Sequence, residues 1–260
     1  MGRGTQPKCR STDPIEWGAD AILTIDGNKL HHAGYFKMPA AQTPQENCVA
    51  HNGMLIPVPG RDIMVQGWYQ GGVSVMEFTN PDDPKELAYF DRGPIDPAPG
   101  ADVPVAAPAA GGRGNRGTIG GSWGAYYWNG LIYSSELDRG FDILELQPSD
   151  QLSKNEIEAA KLVRFEQYNP QSQPKIVWPA AFPVVRSYLD QLVRWNGLSS
   201  NRTTAIGSAL DAAEQQSGKA RRDALNALAK QVDKDVSGAK DPERVKAMSA
   251  AIKDLAKATR

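Results

Sequence analysis

No apolar run in this 260-residue chain approaches the roughly 18 residues that a membrane-crossing helix requires, so the sequence predicts no transmembrane segment. Net charge is nearly absent too. With 29 basic against 30 acidic residues, no global field draws the chain to nucleic acid or anionic lipid, and no nucleic-acid partner is expected. The N-terminal Met1-Gly2-Arg3-Gly4-Thr5-Gln6 lacks the apolar stretch of a secretory signal, and Gln6 stands where myristoylation needs Ser or Thr. Two cysteines, Cys9 and Cys48, can pair in one way only, as a disulfide in an oxidising compartment or as separate thiols in a reducing one. Neither belongs to a C-x-x-C, which argues against a zinc or thioredoxin-like site. Histidine is scarce: His31, His32 and His51 are too few to build a metal centre alone, so no metal site and no particular cofactor is predicted.

What is present divides by period. Residues 15–147 are rich in β-branched and aromatic side chains in short runs broken by Gly, Pro, Asn and Asp, an all-β signature. Gly72-Val73-Ser74-Val75-Met76-Glu77-Phe78 reads as a strand, Thr79 to Pro84 as a turn, and Glu86 to Phe90 as the next strand. Gly140 to Leu146 repeats the first of these, 68 residues after Gly72. Asn129-Gly130-Leu131-Ile132-Tyr133 is similar to Asn52-Gly53-Met54-Leu55-Ile56, and Lys29 to Phe36 echoes Lys85 to Phe90. A Pro/Ala/Gly-rich insertion at 94–121 lengthens the later interval; without it the spacing approaches the ~40–50 residues of a four-stranded propeller blade.

After Leu146 the pattern becomes helical. Ser153-Lys154-Asn155-Glu156 is a capping box. Val185, Leu189, Leu192 and Val193 predict one apolar helical face; Leu225, Leu228, Val232 and Val236 a second; Val245, Met248, Ile252 and Leu255 a third. Asp241-Pro242-Glu243 opens the last helix. The expected organisation is a β region over 1–150, a linker with a short helix over 151–183, and a helical bundle over 184–260.

Two motifs point to enzymes and fail on context. Gly120-Gly121-Ser122-Trp123-Gly124 fits G-x-S-x-G, but a Pro/Ala/Gly loop precedes it, the strand Ala125 to Trp128 follows, and every histidine lies upstream. Gly112-Arg113-Gly114-Asn115-Arg116-Gly117 fits G-x-G-x-x-G without the βαβ unit that would aim a helix at a pyrophosphate. The repeated tripeptides Asp91-Arg92-Gly93 and Asp138-Arg139-Gly140 read as turns with a local ion pair, and His31-His32 as a solvated turn. Trp68, Tyr69, Trp123, Tyr126, Tyr127 and Trp128 read as half-buried sheet packing, with a sugar- or peptide-binding surface as the other use.

The run Gly72 to Pro84, with Glu77 where Asp is usual, resembles the LVIVD-repeat family, as do Glu46 to Gly53 and Pro59 to Gln66. The helical tail is similar, less specifically, to small C-terminal helical modules of extracellular bacterial proteins. The resemblance covers about residues 15–195. It implies a fold that is mainly β with an α-helical tail, an incomplete β-propeller of about two four-stranded antiparallel blades. It also implies an extracytoplasmic location and missing N-terminal blades, the chain being a fragment, or further copies of the chain to close the ring. His51, Asn52, Arg61, Asp62 and Trp68 would lie along the channel or blade edges as binding residues. The function implied is a non-catalytic scaffold for an unidentified protein or small molecule. The alternative is a metal-dependent oxidoreductase or hydrolase with His51 as one ligand and other blades supplying the rest, since related propellers of the selenium-binding type use channel histidines for metal.

Overall fold

The computed structural model describes residues 10–40, 42, 46–94, 120–167, 169 and 175–259. Most of the 94–121 insertion, the G-x-G-x-x-G and Cys9 lie outside them. The chain forms two compact units: the first ends at Leu146, and the second comprises Pro57–Gly60 with Gln147–Arg260.

Among the described residues the first unit holds nine strands in three antiparallel sheets. β1 (Asp20–Asp26) and β2 (Lys29–Phe36) make a hairpin, β3 (Gly53–Ile56) through β6 (Lys85–Phe90) a four-stranded meander, and β7 (Ser122–Trp128) through β9 (Gly140–Leu144) a three-stranded one. β4 is Ile63–Gly67, β5 Val73–Glu77 and β8 Leu131–Glu136. No closed barrel forms among the described residues. The predicted strands at 72–78, 86–90 and 140–146 are present as β5, β6 and β9. One proposed equivalence is corrected. Asn52–Ile56 lies in the first strand of its sheet, whereas Asn129–Tyr133 runs into the second strand of the next. β8 therefore matches β4, and the two hairpins superimpose in register at the 68-residue offset: Val65↔Val75 pairs as Tyr133↔Ile143 does. His31 and His32 are likewise not in a turn. They stand in β2, opposite Thr24 and Leu23.

Alternation explains why the four-stranded sheet is buried on both sides. Met64 and Met76 of one face pack with Ile22 and Phe36 of the hairpin, around Trp68. Val65, Val73 and Val75 point the opposite way and are at most 3% exposed. On that second face Gly67 lies against β7, where an added Cβ would come within 2.7 Å of Ser122 Oγ and 3.1 Å of Gly124 Cα. The three sheets are thus layered in sequence order. β3 and β7 also meet edge to edge through a parallel bridge, Asn52 to Gly124.

In the second unit α1 (Lys154–Lys161) starts at the capping box the sequence predicts. Ser153 accepts from Glu156 N and Glu156 from Ser153 N. α2 (Phe182–Arg194), α3 (Ser200–Glu214), α4 (Gly218–Asp235) and α5 (Pro242–Ala258) build one apolar core. The α5 stripe is buried as predicted, as are Leu225, Leu228 and Val232 of α4, while Val236 lies half-buried in a 3-10 turn just past α4; Asp241 caps α5 by accepting from Arg244 N. Val193 departs from its stripe: Leu192 takes the core position and Val193 is 55% exposed. Two side chains tie elements together. Glu156, fully buried, takes a two-pronged ion pair from Arg194, which joins α1 to α2. Gln191 donates to Pro59 O and accepts from Arg244 Nε, whose guanidinium covers the Trp195 ring at 4.4 Å. With five α-helices beside three sheets among the described residues, the structure is mixed rather than mainly β.

Candidate functional site

Three segments converge where β3, β4 and β7 begin or end. The approach to β3 is fixed first: Asn47 N donates to Gln70 Oε1, Gln70 N to Asn47 O, and Ala50 N to Gly18 O. His51 N then donates to Gly67 O, which sets the imidazole over the β4–β5 turn. That turn holds Tyr69 at φ +50, a conformation costly for a side-chain residue and held here by paired backbone hydrogen bonds between Tyr69 and Ser122. Gly121, at φ +87, makes the approach possible, since a Cβ there would sit 2.0 Å from the Tyr69 carbonyl carbon. Ser122 leads into Trp123, and three rings meet.

His51 lies 4.2 Å from Trp123 and 4.8 Å from Tyr69 between ring centroids, and Tyr69 meets Trp123 edge-on at 5.7 Å. His51 Nδ1 is 2.5 Å from the Trp123 carbonyl oxygen, so the nitrogen facing it carries the proton and donates. Tyr69 is buried beneath, which raises its phenol pKa above the usual value. Trp123 is 42% exposed and His51 half-buried. The arrangement is an aromatic platform on a rigid base. It can stack against an apolar or π surface, and the imidazole edge beside it can hydrogen-bond.

A buried polar group lies behind the platform. Gln66 Nε2 donates both to His51 O and to Asp20 Oδ1, at 2.8 and 3.0 Å. Asp20 Oδ2 and Gln66 Oε1 are buried without a hydrogen-bond partner among the described residues. Burial drives the Asp20 carboxyl up to about 6, against a smaller opposing effect of the Gln66 hydrogen bond.

Of the residues singled out by sequence, His51 and Asn52 belong to this site. Asn52 contributes its exposed side chain at the β3 edge, and its carbonyl accepts from Gly67 N and Ala125 N. Trp68 is adjacent in sequence but fully buried in the hairpin core. Arg61 and Asp62 lie at the far end of β4, about 17–20 Å away at ~3.3 Å per residue. The Arg61 side chain is buried and grips both oxygens of Glu77 at 2.8 and 2.6 Å. Thr79 bridges Glu77 to Asp62 N. Asp62 itself is exposed, its pKa raised by partial burial and by the Glu77 charge. That end of the strand is a structural clamp. Ser122 of the G-x-S-x-G is buried and bonds Ser134 Oγ at 2.7 Å, in a strand rather than at a nucleophile elbow.

Sequence reading missed Trp123 and Tyr69 as partners of His51, because the contact spans 72 residues and depends on the Asn52–Gly124 bridge. It also missed that the two Asp-Arg-Gly tripeptides pair with one another. Arg92 donates to Arg139 O and pairs with Asp142, while Arg139 donates to Gly93 O. Their repetition in sequence was the available signal. Among the described residues no cluster of three or more His, Cys, Asp or Glu is grouped to hold a metal ion. Comparison with family models, curated proteins and solved structures gave no match.

Proposed function

We propose that the first unit is a set of propeller-type blades serving as a non-catalytic binding scaffold, with Trp123, His51 and Tyr69 as its ligand contact. The observation carrying this reading is the joint itself: two successive meanders bridged in parallel through their first strands, with an aromatic platform seated on the bridge. Blades of a propeller meet in this way around their axis, and their ligands sit at that inner rim. The β1–β2 hairpin fits as the outer strands of a preceding blade. The meander topology, rather than a Greek key, also supports the reading. An extracytoplasmic location is supported by Cys48, which is disulfide-bonded.

The ligand class best suited to the platform is one with a flat apolar face and hydroxyl edges, as in a sugar ring. Titration with cellohexaose and chitohexaose, followed by tryptophan fluorescence, tests this. Binding should be abolished by Trp123→Ala, weakened about tenfold by His51→Ala, and unaffected by Trp195→Phe in the helical unit. A titration in which neither oligosaccharide perturbs the fluorescence would refute the sugar assignment. Stoichiometric copper or zinc that disappears with His51→Ala would replace the scaffold with the metalloenzyme alternative.

A further inference from the structure

β7–β9 has two apolar faces, and among the described residues only one is covered. Ala125, Tyr127 and Ile132 on one side are at most 3% exposed. On the other, Tyr126 and Trp128 are each 39% exposed, Phe141 58% and Ile143 60%. Tyr133 joins them, its ring 6.2 Å from Trp128 and 6.1 Å from Phe141. A sheet built to face water on one side alternates apolar with polar residues, and this one does not.

The internal repeat supplies a buried counterpart for that face. At the 68-residue offset Phe141 and Ile143 correspond to Val73 and Val75, which are 3% exposed, and Tyr133 to Val65, which is 0%. Those valines lie on the face of the four-stranded sheet turned toward β7. The same step therefore leads outward from β7–β9. At the opposite end of the stack the β1–β2 hairpin turns Phe36 inward and leaves Leu23 48%, Ile25 75% and Leu30 65% exposed on its outer face. Phe36 and Phe90 hold matching registers, opposite Asp20 and Val73, so the hairpin is oriented in the stack as the later sheets are.

From this we infer that the exposed face of β7–β9 is an interaction surface for a second copy of this chain, which docks the outer face of its β1–β2 hairpin there, head to tail. The inference rests on the blade reading given above. The interface is heterologous, each copy using one face to give and the other to receive, and repetition of the step runs toward a closed ring. The two faces are alike in character, and the contact continues the layering already present inside one copy.

Sedimentation velocity and light scattering on the full chain test it. The wild type should sediment above its monomer mass of 28.2 kDa. Ile143→Lys and Ile25→Lys should each shift it to monomer, with Phe141→Lys as a second variant of the first face, and circular dichroism should confirm that each is folded. An equimolar mixture of Ile143→Lys and Ile25→Lys should form a dimer and nothing larger, because one intact face of each kind remains. A wild type that is monomeric at every concentration, variants that keep the wild-type mass, or a mixture that stays monomeric would each overturn the inference. Trp123-dependent oligosaccharide binding by a monomeric wild type would leave the scaffold reading standing while this one fell.

Discussion

Burial of single polar groups decides the chemistry around the platform. Asp20 keeps its proton in the folded protein up to about pH 6, whereas an unfolded chain releases it near 4. The folded state therefore binds more protons between those values, and this group's contribution to stability falls as pH rises from about 4 to 6. Asp20→Asn, which preserves an acceptor for Gln66, should remove that slope and stabilise the protein at pH 7 by about 2 kcal/mol. Urea titrations from pH 4 to 7 read this directly, and an unchanged slope would count against it. Arg61 and Glu77 make the opposite case. Their charges are buried together, so removing one strands the other. Glu77→Ala should cost about 3–5 kcal/mol, measurable by chemical denaturation, whereas Asp62→Ala beside it should cost little.

Individual elements fold where local signals and burial agree. Asp241 shows the agreement: a capping acid, a proline at the first helical position, and an apolar stripe whose four members are all buried. Asp241→Ala should lose about 1 kcal/mol in the thermal unfolding of the helical unit. The first, second, fourth and fifth helices and the strands flanking the 79–84 turn were legible for this reason, since period, cap and turn chemistry are local, whereas the third helix carried no stripe or cap that stood out. Strand order was not. Asn52–Ile56 and Asn129–Tyr133 look alike because each begins with an Asn-Gly, yet one enters an edge strand and the other a central strand. Only the ladder partners distinguish them. The candidate site was half legible: His51 stood out as an isolated histidine, but its ring partners come from a turn and a strand fixed by Gly121. Replacing Gly121 with Ala would force backbone against backbone at Tyr69. It should lower the β unit's melting temperature and also weaken oligosaccharide binding, a pairing that a purely local strain would not give.

The molecule has two cores of different construction, and they should report separately on heating. The helical unit rests on one contiguous apolar cluster and buried ion pairs such as Arg194–Glu156. The first unit packs apolar side chains between sheets, with Cys48 fully buried and disulfide-bonded beside the Asn47–Gln70 lock that sets His51. A cross-link there acts on the unfolded chain, restricting it before any native contact forms, and is worth about 2–4 kcal/mol. It belongs to one unit only. Calorimetry on the full chain should therefore show two transitions. A reductant should move one of them down by several degrees and leave the helical transition, followed by ellipticity at 222 nm, in place. Because the disulfide backs the His51 segment, the reduced protein should also lose oligosaccharide affinity at temperatures where its helices remain intact. A single transition, or one that reductant shifts as a whole, would mean that the two cores unfold as one.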